Sequence, residues 1–339
     1  MTEPLRVALL GYGLAGSVFH APFIAAVDGL ELAAVTTRDP ERRRQAEETY
    51  PGVLVLDGPE KVFARADELD LVVVATPNTL HVPHALAALE AGLPVVVDKP
   101  LAPTAAEAGK LVGEARERNL LLTAFQNRRW DGDFLTVRRL IEDGALGRVH
   151  RFESRMDRWR PDLTGAWRER ADEAGGLLLD LGTHLVDQAL QLFGPAELRH
   201  AELDARRAGA KVEDDVFLAL EHASGERSHL WMSLVAAQPG PRFRVLGDRA
   251  AFVKHGTDPQ EEALRAGQSP DEPGFGEEPP ERWGLLGAEG ATTPVPTAPG
   301  DYSAFYAGVA QSLRDGGPPP VDPTDAVEAL ELLEAARLA

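Results

Sequence analysis

One lysine lies where an ammonium group could act on a substrate. Lys99 closely follows Val95–Val97, an apolar run typical of a central strand buried on both faces of a parallel sheet. Ligands bind at the carboxyl ends of such strands, and Pro100 ends this one because it has no N–H to donate. Only five residues of the chain are lysine, and the arginines that predominate cannot exchange a proton near neutral pH. We therefore predict that Lys99 is the centre of an active site.

A histidine with two nearby carboxylates is a second candidate for chemistry. Asp180, His184 and Asp187 follow one another at spacings i, i+4 and i+7, so they share one face of a predicted helix. A histidine in a mostly apolar helix is more often a satisfied core residue than a catalytic one. The two carboxylates favour catalysis here, because they can fix the histidine tautomer and raise its affinity for a proton.

A glycine-rich turn could bind a dinucleotide. The apolar run Leu5–Leu10 is followed by Gly11-Tyr12-Gly13-Leu14-Ala15-Gly16, which has the pattern G-x-G-x-x-G between a strand and a possible helix. The first glycine allows the tight turn, the second lets a pyrophosphate approach the backbone, and the third allows close helix–strand packing. The helix N-terminus would then face the phosphates. A purely structural turn is the alternative, and the context favours dinucleotide binding.

The end of the second predicted strand bears on which dinucleotide is used. The strand Leu30–Thr37 ends in Thr36-Thr37-Arg38, whereas an NAD site usually has an Asp or Glu there for the ribose 2′-hydroxyl. Arg38 suits a 2′-phosphate, which arginine can bind through two parallel hydrogen bonds. In the alternative interpretation, Arg38 and Arg42–Arg44 form a solvated helix face. The pattern favours NADP(H) over NAD(H).

Other strand ends are predicted to reach the same cofactor. A strand at Leu71–Ala75 leads into Thr76-Pro77-Asn78, which would lie beside the glycine turn in a doubly wound sheet. His81 opens the next helix and is as consistent with a structural role as with a functional one. The full set of predicted cofactor contacts is Gly11, Tyr12, Gly13, Leu14, Ala15, Gly16, Thr36, Thr37, Arg38, Ala75, Thr76, Pro77, Asn78, His81, Asp98, Lys99, Pro100 and Asn127.

These residues need an α/β protein of two domains to position them. Strands alternating with helices predict a Rossmann dinucleotide-binding domain at residues 1–125. A period of about two recurs further along, so residues 126–339 are predicted to form an α/β domain with an open, mostly antiparallel sheet. Residues 258–299 are predicted to be a long ordered excursion or a mobile flap. A terminal helix at about 323–338 could pack back on the first domain.

Composition limits the partners. The net charge of −19 and a sequence pI of about 4.9 argue against nucleic acid and anionic membranes. The absence of cysteine excludes disulfides, thiolate metal sites and thiol nucleophiles, and the histidines lack the spacing of metal ligands. No apolar stretch reaches the roughly 18 residues of a membrane helix, and the start of the chain shows no targeting pattern. We expect a cytoplasmic protein without a metal.

Three motifs together resemble the Gfo/Idh/MocA oxidoreductase family. They are the glycine turn Gly11–Gly16, the strand end Asp98-Lys99-Pro100 and the helix with Asp180 and His184. Most members have Glu-Lys-Pro at the strand end, and both versions keep a carboxylate beside the lysine. The branch that contains NADP-dependent scyllo-inositol dehydrogenases is the most similar, at residues 11–20, 167–169, 180–184 and 258–262.

The resemblance implies a fold, a reaction and a set of site residues. It implies a Rossmann domain and an α/β domain with the site between them, and homodimers or homotetramers associated through the open sheet. Hydride would pass between a nicotinamide and a secondary alcohol of a cyclitol or sugar. Lys99, Asp180 and His184 would be catalytic, and the substrate-binding set would be Lys99, Arg155, Arg158, Trp167, Arg168, Asp180 and His184. Another aldose or carbonyl substrate, or a non-catalytic dinucleotide-binding regulator, remains an alternative.

Overall fold

The computed structural model describes residues 3–339. Met1 and Thr2, at the chain start that is predicted to show no targeting pattern, lie outside the described residues. The chain divides into two compact units. The first contains the chain up to Asn127 together with Gln260–Phe275 and Asp301–Val327, and the second contains Arg128–Pro259, Gly276–Gly300 and Glu328–Ala339. No helix within residues 3–339 is long and apolar enough to cross a membrane.

The described residues form fourteen strands and ten α-helices. The strands are β1 (Leu5–Leu10), β2 (Leu30–Thr36), β3 (Leu54–Leu56), β4 (Leu71–Val74), β5 (Val95–Asp98), β6 (Leu122–Phe125), β7 (Val149–Asp157), β8 (Ala196–Asp204), β9 (Asp215–His222), β10 (Arg227–Ser233), β11 (Phe243–Gly247), β12 (Ala251–Lys254), β13 (Gly284–Ala288) and β14 (Ala291–Val295). The helices are α1 (Ala21–Ala26), α2 (Pro40–Thr49), α3 (Pro59–Phe63), α4 (His81–Glu90), α5 (Ala105–Glu117), α6 (Gly132–Glu142), α7 (Thr183–Phe193), α8 (Gln260–Arg265), α9 (Ser303–Asp315) and α10 (Pro323–Leu338).

The first unit contains a six-stranded sheet in the order β3-β2-β1-β4-β5-β6, and every neighbouring pair is parallel. Its central strands are short apolar runs without alternation, such as Leu71–Val74, because both faces of the sheet are covered. The order reverses between β1 and β4, which is the switch point at which doubly wound sheets bind ligands. The predicted Rossmann fold is confirmed.

Helix caps in this unit follow from the sequence. Asp39 precedes α2, and its carboxylate accepts a hydrogen bond from the Glu41 N–H at 2.9 Å. Thr104 precedes α5, and its hydroxyl accepts from the Glu107 N–H at 3.2 Å. Both side chains satisfy N–H groups that the first turn of a helix leaves without a partner. These two helix starts agree with their prediction from sequence.

Segments from the C-terminal third of the chain pack inside the first unit. The Tyr306 hydroxyl on α9 lies 2.6 Å from Nδ1 of His20, and the ring of Phe305 packs edge-on against that of Phe125. The Thr123 hydroxyl in β6 donates to the Val321 carbonyl at 2.8 Å. The core of the dinucleotide-binding unit therefore includes residues that lie far from it in sequence.

The second unit contains an eight-stranded sheet in the order β14-β13-β12-β11-β7-β10-β9-β8. Its neighbouring pairs are antiparallel except β7 and β10, which run parallel in the middle of the sheet. Burial alternates strictly along β9, because one face packs on the core and the other does not. The predicted open, mostly antiparallel sheet is confirmed.

Two segments of this unit add detail to the predicted sheet. The region around residues 242–253, where the sequence has a period of about two, contains two strands, β11 and β12, because the chain turns between Gly247 and Ala251. Residues 258–299 contain α8 and the β13–β14 hairpin, which extends the sheet at one edge. The segment is thus an ordered excursion with its own secondary structure.

The open face of the second sheet carries aromatic and charged side chains. Trp231 of β10 packs against Phe217 of β9 with ring centres 4.9 Å apart, and the Arg155 guanidinium lies 3.8 Å from the Trp231 ring centre. Arg155 also bonds to Glu153 at 3.1 Å. Aromatic and arginine side chains are common in protein interfaces. The association of two copies through this face stays a prediction.

Candidate active site

Five adjacent strand ends bring the predicted cofactor residues to one edge of the first sheet. Because β2, β1, β4, β5 and β6 are neighbours and parallel, their carboxyl ends lie side by side. The residues that follow these ends are Thr36, Thr37 and Arg38 after β2, Gly11–Gly16 after β1, Ala75–Asn78 after β4, Asp98–Pro100 after β5 and Asn127 after β6. The sheet order alone therefore groups nearly all of the predicted contacts.

The glycine turn is too tight for side chains at its first and last glycine. Gly11 has φ +95°, and a Cβ atom there would lie 2.5 Å from the Ala75 carbonyl oxygen. A Cβ atom on Gly16 would lie 2.0 Å from the Gly11 carbonyl oxygen. The Gly11 N–H donates to the Thr36 hydroxyl at 2.9 Å, which ties the turn to the end of β2. This turn leads into the π-helical segment Ala15–His20, so the residues present fit a dinucleotide pyrophosphate.

Two arginines lie beside this turn. A Cβ atom on Gly13 would lie 3.7 Å from Nη1 of Arg42. Arg38, at the end of β2, donates from Nε to the Asp57 carbonyl at 2.9 Å. Arg42 is also half-exposed and lies 3.7 Å from the Asp39 carboxylate. In the alternative interpretation Arg42 would belong to a solvated helix face, whereas in the structure it extends from α2 to the glycine turn.

The Asp98 carboxylate holds the backbone of Lys99. Its Oδ1 atom accepts the Lys99 N–H at 2.8 Å and lies 3.8 Å from Nε2 of the buried His20, a distance too long for a hydrogen bond. Burial raises the pKa of Asp98, but His20, Lys99 and His81 outweigh it and hold this pKa below its ordinary value. Burial also raises the pKa of Tyr306, which bonds to the other nitrogen of His20.

His81 is buried behind the strand ends. Its Nδ1 lies 2.7 Å from the Pro100 carbonyl oxygen, and its Nε2 lies 2.9 Å from the Thr76 carbonyl oxygen. Both ring nitrogens are therefore occupied by backbone groups of the protein. The sequence left a structural and a functional role equally open for this residue, and the geometry offers no ring nitrogen for direct contact with a cofactor.

In the second unit, the predicted acid–base residues lie at the start of α7. His184 is 4% exposed, and Asp180 lies in the π-helical segment Leu178–Gly182 that leads into the helix. The Asp180 carboxylate accepts a hydrogen bond from Nε of Arg168 at 3.2 Å. Asp187, expected to assist His184, accepts two bonds from Arg129 at 2.5 and 2.9 Å. A bidentate ion pair thus uses the carboxylate oxygens of Asp187.

The predicted substrate-binding residues do not all lie together. Arg158, Arg168 and Asp180 line one cavity within the second unit, and the Arg168 guanidinium lies 4.6 Å from the Trp167 ring centre. Arg155 does not join them, because successive residues of a strand point to opposite faces and its side chain lies on the open face with Trp231. Of the seven predicted residues, three thus line one cavity, Trp167 packs beside it and Arg155 lies elsewhere. His184 lies in α7 of the same unit, and Lys99 belongs to the first unit.

A buried salt bridge that sequence reasoning missed shapes this cavity. Arg207, 6% exposed, bonds to Glu169 at 2.9 Å and to Asp214 at 2.8 Å. The other carboxylate oxygen of Glu169 accepts the N–H groups of Thr164 and Gly165 at 2.9 and 2.7 Å. Glu169 therefore folds the loop that precedes it. The sequence around Glu169 could not predict this ion pair, because Arg207 lies 38 positions away.

A parallel sheet with a dinucleotide turn at its switch point, together with a second α/β unit, defines an NAD(P)-binding oxidoreductase. Residues 5–126 match the family model described as the NAD-binding Rossmann fold of an oxidoreductase family, and residues 138–339 match the model of its C-terminal alpha/beta domain. The chain belongs to this family, Gfo/Idh/MocA. The expected family and fold are confirmed.

Similar proteins include enzymes that act on cyclitols. The chain is 35% identical to scyllo-inositol 2-dehydrogenase (NADP(+)) IolW of Bacillus subtilis, over 98% of this chain and 93% of that protein. It is 38% identical to inositol 2-dehydrogenase 4 of Saccharopolyspora erythraea, over 65% of this chain and 64% of that protein. The solved structure of the oxidoreductase YvaA of Bacillus subtilis has a TM-score of 0.94 at 34% identity, covering 100% of this chain and 96% of that one.

Proposed function

We propose that the protein is an NADP(H)-dependent dehydrogenase of a cyclitol or sugar, which transfers hydride to or from a secondary alcohol carbon. One observation carries the proposal: Lys99 directly follows β5, the neighbour of β4, on the same sheet edge as the glycine turn. The similarity to an inositol dehydrogenase over nearly the whole chain supports a cyclitol as substrate.

In the proposed reaction, Lys99, Asp180 and His184 have separate roles. A nicotinamide dinucleotide held by the glycine turn would supply the hydride acceptor or donor. In the oxidation direction His184 would act as the general base that removes the hydroxyl proton. Lys99 would hydrogen-bond the same oxygen and stabilise its developing negative charge. Asp180, held by Arg168, would orient His184 or accept a neighbouring hydroxyl.

Substrate hydroxyls need fixed donors and acceptors around the reacting carbon. Arg158 and Arg168 line the same cavity as Asp180, and Trp167 packs against Arg168. These residues support polyol recognition, because guanidinium groups donate in a fixed plane and an aromatic ring covers the apolar face of a sugar. Arg155 is left out of this set because it lies on the open face of the sheet.

We assign the preference for NADP(H) to two arginines. The ribose next to the pyrophosphate lies between the glycine turn and the end of β2 in a Rossmann fold. Arg38 stands at the end of β2, and Arg42 reaches over Gly13. Two guanidinium groups at this position suit a 2′-phosphate, whereas the adjacent carboxylate, Asp39, already accepts N–H groups from the first turn of α2.

Replacing either arginine should weaken NADP binding selectively. We expect Arg38→Ala and Arg42→Ala each to raise the Kd for NADPH about 10- to 100-fold, the loss of a charge-assisted bond, and to change the Kd for NADH much less. Fluorescence titration measures both constants. Arg44→Ala on the same helix is the control, since Arg44 is exposed and pairs only weakly with Glu41 at 3.9 Å. Equal losses for both dinucleotides would show that the phosphate is not read there.

Steady-state kinetics test the proposed reaction directly. Purified protein should oxidise a cyclitol such as scyllo-inositol or myo-inositol in a panel of polyols and aldoses, with a higher kcat/KM for NADP than for NAD. If the protein turns over only a different aldose or a carbonyl compound, the cyclitol substrate is refuted, whereas its assignment as a dehydrogenase of this fold is retained. Binding of NADPH without turnover of any member of the panel would favour a dinucleotide-binding regulator, the alternative that the sequence left open.

A further inference from the structure

One buried histidine connects the two strand ends next to the switch point. His81 is 1% exposed, and its two ring nitrogens lie 2.7 Å from the Pro100 carbonyl oxygen and 2.9 Å from the Thr76 carbonyl oxygen. Pro100 directly follows Lys99 at the end of β5, and Thr76 follows β4. The imidazole ring thus spans the gap between the residue after the lysine and the neighbouring strand end.

The number of protons on this ring decides how many hydrogen bonds it makes. A backbone carbonyl oxygen can only accept, and a neutral imidazole has a single N–H. A neutral His81 therefore donates to one carbonyl and turns a nitrogen lone pair towards the other. A doubly protonated His81 donates to both, so protonation adds one bond between the ends of β4 and β5.

Three titratable groups face this ring. Asp98 and Lys99 lie at the end of β5, and His84 lies one turn further along α4 with its Nδ1 3.3 Å from the Thr76 hydroxyl. Burial lowers the pKa of His81 from its ordinary value, while Asp98 and the two carbonyl oxygens oppose that shift and Lys99 adds to it. The second hydrogen bond is therefore present below the pKa of His81 and is lost as the pH rises through it.

The backbone on both sides of Lys99 is fixed by buried groups. On the amino side, the Asp98 carboxylate accepts the Lys99 N–H at 2.8 Å. On the carboxyl side, His81 contacts the Pro100 carbonyl. A lysine side chain has four rotatable bonds, so a fixed backbone is the first requirement for placing its ammonium group. Asp98 follows directly from the strand, whereas His81 comes from a separate helix.

We propose that His81 is a positioning residue for Lys99, which holds the Lys99–Pro100 turn against the end of β4 through one ring N–H when neutral and through two when protonated. This inference rests on the proposed role of Lys99 at the reacting oxygen. Both ring nitrogens of His81 face backbone oxygens, so in this proposal it acts through Lys99. A misplacement of about 1 Å at such a site can cost about 100-fold in rate.

Lysine NMR tests the proposal without relying on activity. With ¹³C at the lysine Cε, the protein gives signals from only five residues, and the Lys99 signal is the one missing from Lys99→Met. We expect His81→Phe to shift the Lys99 signal and to lower kcat about 100-fold, with the Kd for NADPH nearly unchanged. His81→Gln keeps an N–H donor and should restore most of the rate. His150→Phe, at an exposed histidine of β7, should change neither.

The pH response separates positioning from general stability. In the wild type the Lys99 signal should move as His81 titrates on acidification, and in His81→Gln that movement should be absent. An unmoved Lys99 signal in folded His81→Phe would overturn the proposal. If His81→Phe does not fold, an identical pH response in the wild type and His81→Gln would overturn it. A shifted Lys99 signal in His81 variants, together with full turnover by Lys99→Met, would instead refute the proposed function and leave the positioning role intact.

Discussion

Replacing Lys99 by alanine should abolish turnover while leaving the Kd for NADPH within a few-fold of the wild-type value. The ammonium group would stabilise negative charge on the reacting oxygen, and losing one such donor costs about 10²–10³ in kcat in other enzymes. Stopped-flow and overnight steady-state assays measure the residual rate, and fluorescence titration measures NADPH binding.

Lys110→Ala is the matched control for this experiment. Lys110 is exposed on α5, so its replacement removes the same charge without touching the strand ends. Turnover like the wild type in Lys99→Ala would refute the assignment of Lys99. A large and equal loss of NADPH binding would show that the lysine serves the cofactor rather than the reacting oxygen.

Replacing His184 by glutamine should lower kcat/KM for alcohol oxidation by about 10²–10⁴, the usual contribution of a general base. Glutamine has a similar size but cannot take a proton, so the buried start of α7 keeps its packing. In the wild type, kcat/KM should fall on acidification as the base becomes protonated. This acidic limb should be absent from the pH profile of His184→Gln.

His200→Gln supplies the control, since His200 is exposed on β8, where its ring lies 3.1 Å from the Glu202 carboxylate and near the Phe217 ring. Its pH profile should match that of the wild type. If the acidic limb persists unchanged in His184→Gln, another group is the base, and Lys99 is then the first residue to test.

Local sequence patterns predicted most of the first unit. Short stretches of neighbouring residues form the valine run before Lys99, the glycine turn and the caps at Asp39 and Thr104. These features can therefore be predicted without knowledge of the fold. Parallel strands with helical crossovers then restrict the strand order to a few topologies. This is why the grouping of the cofactor residues at one sheet edge could be expected.

Contacts between distant residues could not be predicted in the same way. Tyr306 meets His20 across 286 positions, and Arg129 meets Asp187 across 58. The helical spacing that linked Asp180 to His184 assumed a regular α-helix, whereas Asp180 lies in a π-helical segment, which has a different number of residues per turn. Arg155 was selected by proximity in sequence, and the alternation along β7 places it on the other face.

The chain enters the first unit three separate times, and this limits how the protein can be recombined. A fragment that ends near residue 126 contains every strand of the dinucleotide-binding sheet but lacks Tyr306 and Val321, which bond to His20 and Thr123 within its core. Neither half of the chain is therefore a transferable module. A chimaera that exchanges cofactor preference between relatives must carry residues 260–275 and 301–327 along with the amino-terminal part, or else transplant only the glycine turn and the arginines beside it.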